Sequence, residues 1–172
     1  AVPSFLNHRG FPASICTSVN EQLLHGIPGN RQLQDGDIIS IDVGVYLDGF
    51  HADSARTHPV GEVSDDARTL IAVTEECFWI GFREIRTGGR WGDVASVVQR
   101  HAEAAGYGVV REYAGHGIGR KMHEDPSVPN YGIAGRGAVL RKGMTFAFEP
   151  MIAAGSPDTR VLEDNWTVVM CD

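Results

Sequence analysis

Cysteine, cationic side chains and long apolar runs are all scarce in this chain of 172 residues, and each scarcity removes a class of protein. The cysteines, Cys16, Cys77 and Cys171, are odd in number and never spaced C-x-x-C. That excludes a disulfide framework and a thiolate zinc site, and it fits a reducing compartment. Lys and Arg number 15 against 22 Asp and Glu, for a formal charge of −7. Affinity for nucleic acid rests on cationic side chains displacing counterions from phosphate, so neither nucleic acid nor an anionic membrane is expected as a partner. No stretch is apolar enough for a membrane-spanning helix, and Ala1, Val2, Pro3 and Ser4 do not open a secretory leader. The expected location is the cytoplasm.

Several catalytic motifs are missing too. No serine sits in a G-x-S-x-G elbow, and Cys16 has no evident base beside it, which argues against nucleophilic catalysis. Gly115-x-Gly117-x-Gly119 lacks the later glycine of a dinucleotide loop, and Gly119-Arg120-Lys121 is not a P-loop. There is no internal repeat and no low-complexity linker.

What is present reads as one globular domain, 42% apolar and 22% charged. Ile39, Ile41, Val43 and Val45 alternate with Ser40, Asp42, Gly44 and Tyr46, and Asp48-Gly49 supplies a two-residue turn; together they predict a β-hairpin between Ile38 and Thr57. Ser64 followed by Asp65 and Asp66 predicts a helix start, with apolar residues at helical spacing until Thr87-Gly88-Gly89. A second helix is expected from about Asp93 to Ala105, then strands over 108–113, 144–152 and 166–170, with the glycine-rich run from Gly115 and the segment Pro126 to Pro129 as loops. The opening thirty residues read as irregular or briefly helical. Helices and hairpins in this irregular order indicate an α+β fold.

The hairpin register sets Asp42 opposite Ala55 and Asp53 opposite Gly44, so the two acids become diagonal neighbours on one face, about 7–8 Å apart at the backbone. Carboxylates this close repel unless a proton or cation lies between them. Gly44 and Ala55 are small enough to leave room for one; the plain alternative is two solvated acids. His51, beside the turn, reads as a surface residue. Glu149 lies on an apolar stretch with Phe146, Ala147 and Phe148, where a bare charge is costly unless paired or metal-bound. His116 stands between glycines, and His123 follows in His123-Glu124-Asp125-Pro126. Asp42, Asp53, His116 and Glu149 form an oxygen-rich set with one imidazole, which suits Mn, Fe(II), Co or Zn.

In order, Asn20-Glu21-x3-His25-Gly26-Ile27-Pro28, Asp42-x10-Asp53, Gly115-His116-Gly117-Ile118-Gly119-Arg120-x2-His123-Glu124-x-Pro126 and Phe148-Glu149-Pro150-Met151 make the chain resemble type I methionine aminopeptidases of bacterial kind. The resemblance implies the pita-bread fold, a curved antiparallel sheet with helices on its outer face, built from two pseudo-equivalent halves as a single catalytic domain. It implies two divalent metal ions held by Asp42, Asp53, His116 and Glu149, and hydrolysis that frees the initiator methionine ahead of a small second residue. His25, His123 and Glu149 are implied as catalytic, with His25 and His123 also touching substrate. Phe5, His8, Phe11, Cys16, Met122 and Trp166 fall where the methionine side chain is lodged, His8 standing in place of an aromatic residue such as Tyr. The implied substrate is the N-terminus of a peptide or nascent protein, with ribosome proximity and a monomeric state. Against the family pattern the chain is expected to lack an N-terminal segment and the last strand, whose Glu-His-Thr carries one further ligand, so weak metal binding and slow turnover are expected of it. The alternatives are an X-Pro dipeptidase or aminopeptidase of the same fold, and a metal-free binding relative or inactive fragment.

Overall fold

The alternation beginning at Ile38 folds as predicted. In a computed structural model, which describes residues 1–171 and leaves Asp172 outside the described residues, Ile38–Leu47 and Phe50–Pro59 pair in antiparallel register around the Asp48-Gly49 turn. Leu47 lies opposite Phe50, Asp42 opposite Ala55 and Asp53 opposite Gly44. Both turn residues have positive φ, 50° at Asp48 and 88° at Gly49, the backbone that this tight connection requires.

In chain order the strands are β1 (Val2–Pro3), β2 (Cys16–Val19), β3 (Gln22–Leu24), β4 (Ile38–Leu47) and β5 (Phe50–Pro59). Two helices follow, α1 (Asp65–Glu84) and α2 (Trp91–Ala104). Then come β6 (Gly108–Val109), β7 (Gly115–Gly117), β8 (Glu124–Val128), β9 (Phe146–Ala147), β10 (Ile152–Ala153), β11 (Thr159–Val161) and β12 (Val168–Met170). The described strand pairings are all antiparallel. β1 and β2 both pair with β4, along the edge opposite β5; β8, β7 and β9 form a second sheet; β11, β12 and β3 form a third; β10 pairs with β6. The architecture is α+β, short antiparallel sheets beside a packed pair of helices.

Each helix starts for a local reason. The Ser64 hydroxyl accepts the Ala67 N–H at 3.1 Å, with Asp65 and Asp66 in the first turn complementing the helix dipole. α2 starts two residues earlier than its apolar pattern suggested, because Asp93 accepts the Arg90 N–H at 3.0 Å and the Gly135 N–H at 2.7 Å, tying the first turn to the loop above it. Val73 and Cys77 of α1 pack with Val98 and Ala102 of α2 against Val109 and Ile152. Trp91, Val94 and Ala95 pack with Val128 and Leu140, and Phe148 touches both groups. Burying such side chains stabilises by roughly 1.5–3 kcal/mol each. The helices thereby fix the backbone on either side of Glu149.

Four expectations need correction. The strands expected over 108–113, 144–152 and 166–170 contract to two or three residues each, because a ladder partner is present only over those lengths. Between β9 and β10 the Asn130 amide, not a neighbouring strand, donates to the Glu149 carbonyl at 2.6 Å. The supposed glycine loop from Gly115 is strand β7, and Pro126 lies within β8. The opening segment holds short strands, with only a single 3-10 turn at His8–Gly10.

Candidate metal centre and its cavity

One ligand atom each of Asp53, His116 and Glu149 lies within 4.8 Å of the others. Three elements bring them together: the β4–β5 hairpin carries Asp53, β7 carries His116, and Glu149 follows β9. β7 pairs with β9, setting His116 opposite Ala147, and this register delivers Glu149 to the imidazole. His116 Nε2 is 3.6 Å from Asp53 Oδ2 and 3.4 Å from Glu149 Oε1. Asp42 sits on the same hairpin face and interacts with Asp53 and Glu149.

The donor chemistry fits a cation. His116 Nδ1 lies 2.9 Å from the Gly117 carbonyl, which can only accept, so Nδ1 bears the hydrogen and Nε2 turns a lone pair toward two carboxylates. Oδ1 of Asp42 and Oε1 of Glu149 are buried without a hydrogen-bond partner. Burial, and then the negative charge of Asp53, pushes the Asp42 carboxyl up to about 8. The same causes push Glu149 up to about 7. Burial alone would lower His116, yet its contacts with Asp53, the Gly117 carbonyl and Glu149 outweigh it and raise the imidazole. Crowded acids holding protons above their ordinary range are what a divalent ion relieves.

The sign of the pH dependence follows. A carboxylate whose folded pKa is raised binds more protons folded than unfolded, so metal-free stability falls as pH rises toward the folded pKa. Raised His116 acts in the same direction, whereas His8, His25 and His123, all lowered by burial first, matter only near and below the ordinary imidazole range. With chelator present, thermal unfolding at about pH 8.5 is therefore expected to lie below that at about pH 7, by on the order of 1 kcal/mol. Added Mn or Co should remove the difference. An identical melting point at both pH values would show that the acids carry no strain.

All twelve residues singled out in the sequence line one cavity of about 420 Å³: Asp42, Asp53, His116 and Glu149, with His25 and His123, and with Phe5, His8, Phe11, Cys16, Met122 and Trp166. Phe5, Phe11, Cys16 and Met122 are buried in one apolar cluster, against which Trp166 packs. The Phe11 and Trp166 rings meet edge to face at 5.1 Å. Burial, reinforced by Asp42 and Asp53, drives the Cys16 thiol up to about 12, so it stays protonated and lines the wall as a small apolar group. The His123 ring lies 4.2 Å from that of His116 and 5.3 Å from that of His8; burial first, then these neighbours, push it down to about 4 and keep it neutral. His25 takes a left-handed backbone, φ 58°, and meets Tyr113 and Trp166 edge to face.

Two readings change here. The space beside Gly44 is not left for a cation: a Cβ there would lie 2.6 Å from the Phe5 ring, so the glycine admits the wall of the apolar slot. His51 is half-buried; its Nδ1 meets the Ser4 hydroxyl at 2.8 Å and its N–H donates to the Gly119 carbonyl at 2.7 Å. Glu112, Tyr113 and Glu124 also line the cavity; in the sequence Glu124 stands only as part of the motif after His123, and a lone acid or tyrosine in a short bend carries no periodic signal.

An antiparallel α+β frame holding acids and an imidazole at the floor of an apolar cavity defines a metallopeptidase-type centre. The model of metallopeptidase family M24 matches residues 5–169, and the chain belongs to that family. It is 52% identical to methionine aminopeptidase 1 of Bacillus subtilis over 172 residues, all of this chain and 69% of that protein. It superposes with a TM-score of 0.98 on the methionine aminopeptidase of Thermotoga maritima, at 44% identity, covering 99% of this chain and 69% of that one. An Xaa-Pro dipeptidase from Bacillus anthracis matches less well, with a TM-score of 0.70 and 28% identity over 79% of this chain and 38% of that one.

Proposed function

We propose that the chain is a metal-dependent aminopeptidase releasing N-terminal methionine from peptides and nascent proteins with a small second residue. The carrying observation is the shared cavity: an apolar slot of Phe5, Phe11, Cys16, Met122 and Trp166 opens beside the acid–imidazole centre. A flexible thioether side chain suits such a slot, and lodging it there sets the following peptide bond over the acids.

Asp53, His116 and Glu149 would hold the metal, with Asp42 beside Asp53 adding a fourth ligand to the set expected for two divalent ions. When bound, such ions polarise the scissile carbonyl and acidify the attacking water. The protein's own groups do the rest. His123, kept neutral by burial, donates a hydrogen bond toward the carbonyl oxygen as negative charge develops there. His25 borders the leaving side; its neutral ring takes a proton released by the attacking water and passes it to the departing amine, so it ends neutral. Its packing against Tyr113 and Trp166 crowds the path of the second residue, which favours small ones. The roles of His8 and the apolar residues are to exclude water and orient the side chain. Residues 1–172 act as a single catalytic domain. The reading places a monomer in the cytoplasm, working close to the ribosome on emerging N-termini; the free thiols Cys16, Cys77 and Cys171 accord with a reducing compartment.

The competing X-Pro reading makes a different demand. Incubated with Mn or Co, the chain should release methionine from Met-Ala-Ser at least about tenfold faster than it cleaves Ala-Pro, since lodging the side chain decides orientation. Faster cleavage of Ala-Pro would reverse the assignment.

A further inference from the structure

His123 has to be held at a fixed height over the centre, yet among the described residues its ring makes tilted contacts with two other imidazoles and no hydrogen bond. It lies at the end of the irregular stretch Ile118 to His123, which connects β7 to β8. The ring packs against His116 and His8. The position of the imidazole therefore depends on how the backbone of this stretch is tied down.

The ties are specific. The Ile118 N–H donates to the Thr145 carbonyl at 3.2 Å, and the Thr145 hydroxyl donates to the Ile118 carbonyl at 2.5 Å. The His51 N–H donates to the Gly119 carbonyl at 2.7 Å, and the Gly119 N–H donates to the Lys121 carbonyl at 3.1 Å. The remaining closure is made by the residue next to His123. Oε1 of Glu124 accepts the Lys121 N–H at 2.8 Å, reaching back over the bend. The same carboxylate lies over Gly119: a Cβ there would meet its oxygens at 3.1 and 3.2 Å. Glu124 opens β8 opposite Gly117, just past the register shift that separates this pair from His116 and Ser127, so its side chain reaches back over the bend from the first paired position of the strand.

We propose that Glu124 is a positioning residue for His123: its carboxylate clamps the bend at Lys121 and sets where the neighbouring imidazole meets the scissile carbonyl. This rests on the reading of His123 given above. The reason for a side-chain clamp is energetic. A bend of this length has no ladder to hold it, and a misplacement of about 1 Å at a hydrogen-bonding catalytic group costs on the order of 100-fold in rate.

The test compares Glu124→Ala and Glu124→Gln in the metal-loaded chain on Met-Ala-Ser, each also combined with His123→Ala. Glu124→Ala should lower kcat about tenfold or more while KM stays within about twofold, because the loss falls on the transition state. Glu124→Gln, whose amide oxygen still accepts from Lys121, should retain about half of kcat or more. In the His123→Ala background, Glu124→Ala should have no further effect, since residues acting through one group are not additive. Wild-type kinetics in Glu124→Ala, a Gln variant as impaired as the Ala variant, or a full additional loss in the His123→Ala background would each overturn the proposal. If Glu124→Ala does not fold, Thr145→Val releases the other end of the bend and is judged by the same kcat, KM and His123→Ala comparisons. The clamp also has a readout independent of substrate. Hydrogen exchange at the Lys121 amide should quicken about tenfold in Glu124→Ala, with β7 amides unchanged. If the wild type releases no methionine from any peptide, the substrate reading falls, and unchanged Lys121 exchange in Glu124→Ala then overturns the clamp separately.

Discussion

Replacing Asp53 by asparagine is expected to lower metal-dependent methionine release by more than about 100-fold, beyond the 10–100-fold typical of losing an outer partner of a metal ligand. The isosteric amide keeps the volume of the side chain, so packing is not what changes. What changes is charge. Asp53 Oδ2 faces His116 Nε2, and its charge is among the main causes of the raised carboxyls of Asp42 and Glu149. Asparagine removes that charge and with it the demand for a cation. The same substitution carries a counter-signature that a folding defect cannot mimic. Relieved of a like charge, the metal-free variant should melt above the metal-free wild type at about pH 8, by on the order of 1 kcal/mol, and should gain little when Mn or Co is added. Activity and metal-free stability thus move in opposite directions, as expected where a site is held in tension for its function. Calorimetric metal titration alongside the melts reads both; a variant with unaltered metal affinity and rate would remove Asp53 from the centre.

The second large effect is expected at Gly117. A Cβ built there would lie 2.2 Å from the Asp125 carbonyl oxygen and 2.9 Å from that of Glu124, both of them backbone atoms of the paired strand. Neither can swing aside as a side-chain tip would, so Gly117→Ala must push β7 and β8 apart. Such overpacking costs about 1–3 kcal/mol, and a chain of this size loses about 2–4 °C in Tm per kcal/mol. The damage would not stop at stability. His116 is the preceding residue on β7, and Glu124, at the foot of the bend carrying His123, is the ladder partner of Gly117. Activity should therefore fall further than the unfolded fraction explains. Gly29→Ala is the matched control: its nearest neighbour would be the Ile27 carbonyl at 4.0 Å, and a change within about 0.5 kcal/mol is expected. Equal melting points for the two variants would show that the strand spacing at Gly117 yields.

How much of this was legible beforehand depended on whether the signal was local. The hairpin register follows from alternation and an Asp-Gly turn, both contained within Ile38 to Pro59, and the diagonal placement of Asp42 and Asp53 came with it. The Ser64 start of α1 was equally local. α2 was misplaced at its N-terminus because its first turn is tied by Asp93 to Gly135, and no window around Asp93 contains that partner. The strands around Glu149 are shorter than their alternation for a similar reason: alternation reflects which side chains are buried, whereas a strand requires a partner along its length. His51 looked like a surface residue until Ser4 and Gly119 were seen to hold it.

By itself, then, the sequence determined the chemistry available: few thiols, excess acid, four ordered motifs carrying carboxylates and imidazoles, and glycines beside His116. Those are properties of residue type and short-range order. The tertiary structure decided which of these groups meet. Asp53, His116 and Glu149 converge because β7 pairs with β9 in one register and the β4–β5 hairpin docks against the bend through the His51 N–H. It also decided that Phe5 rather than a cation occupies the space beside Gly44, and that Glu124 reaches back to the bend bearing His123. Contacts between residues far apart along the chain depend on the relative placement of elements, and that placement is set by core packing around Phe148 and the two helices.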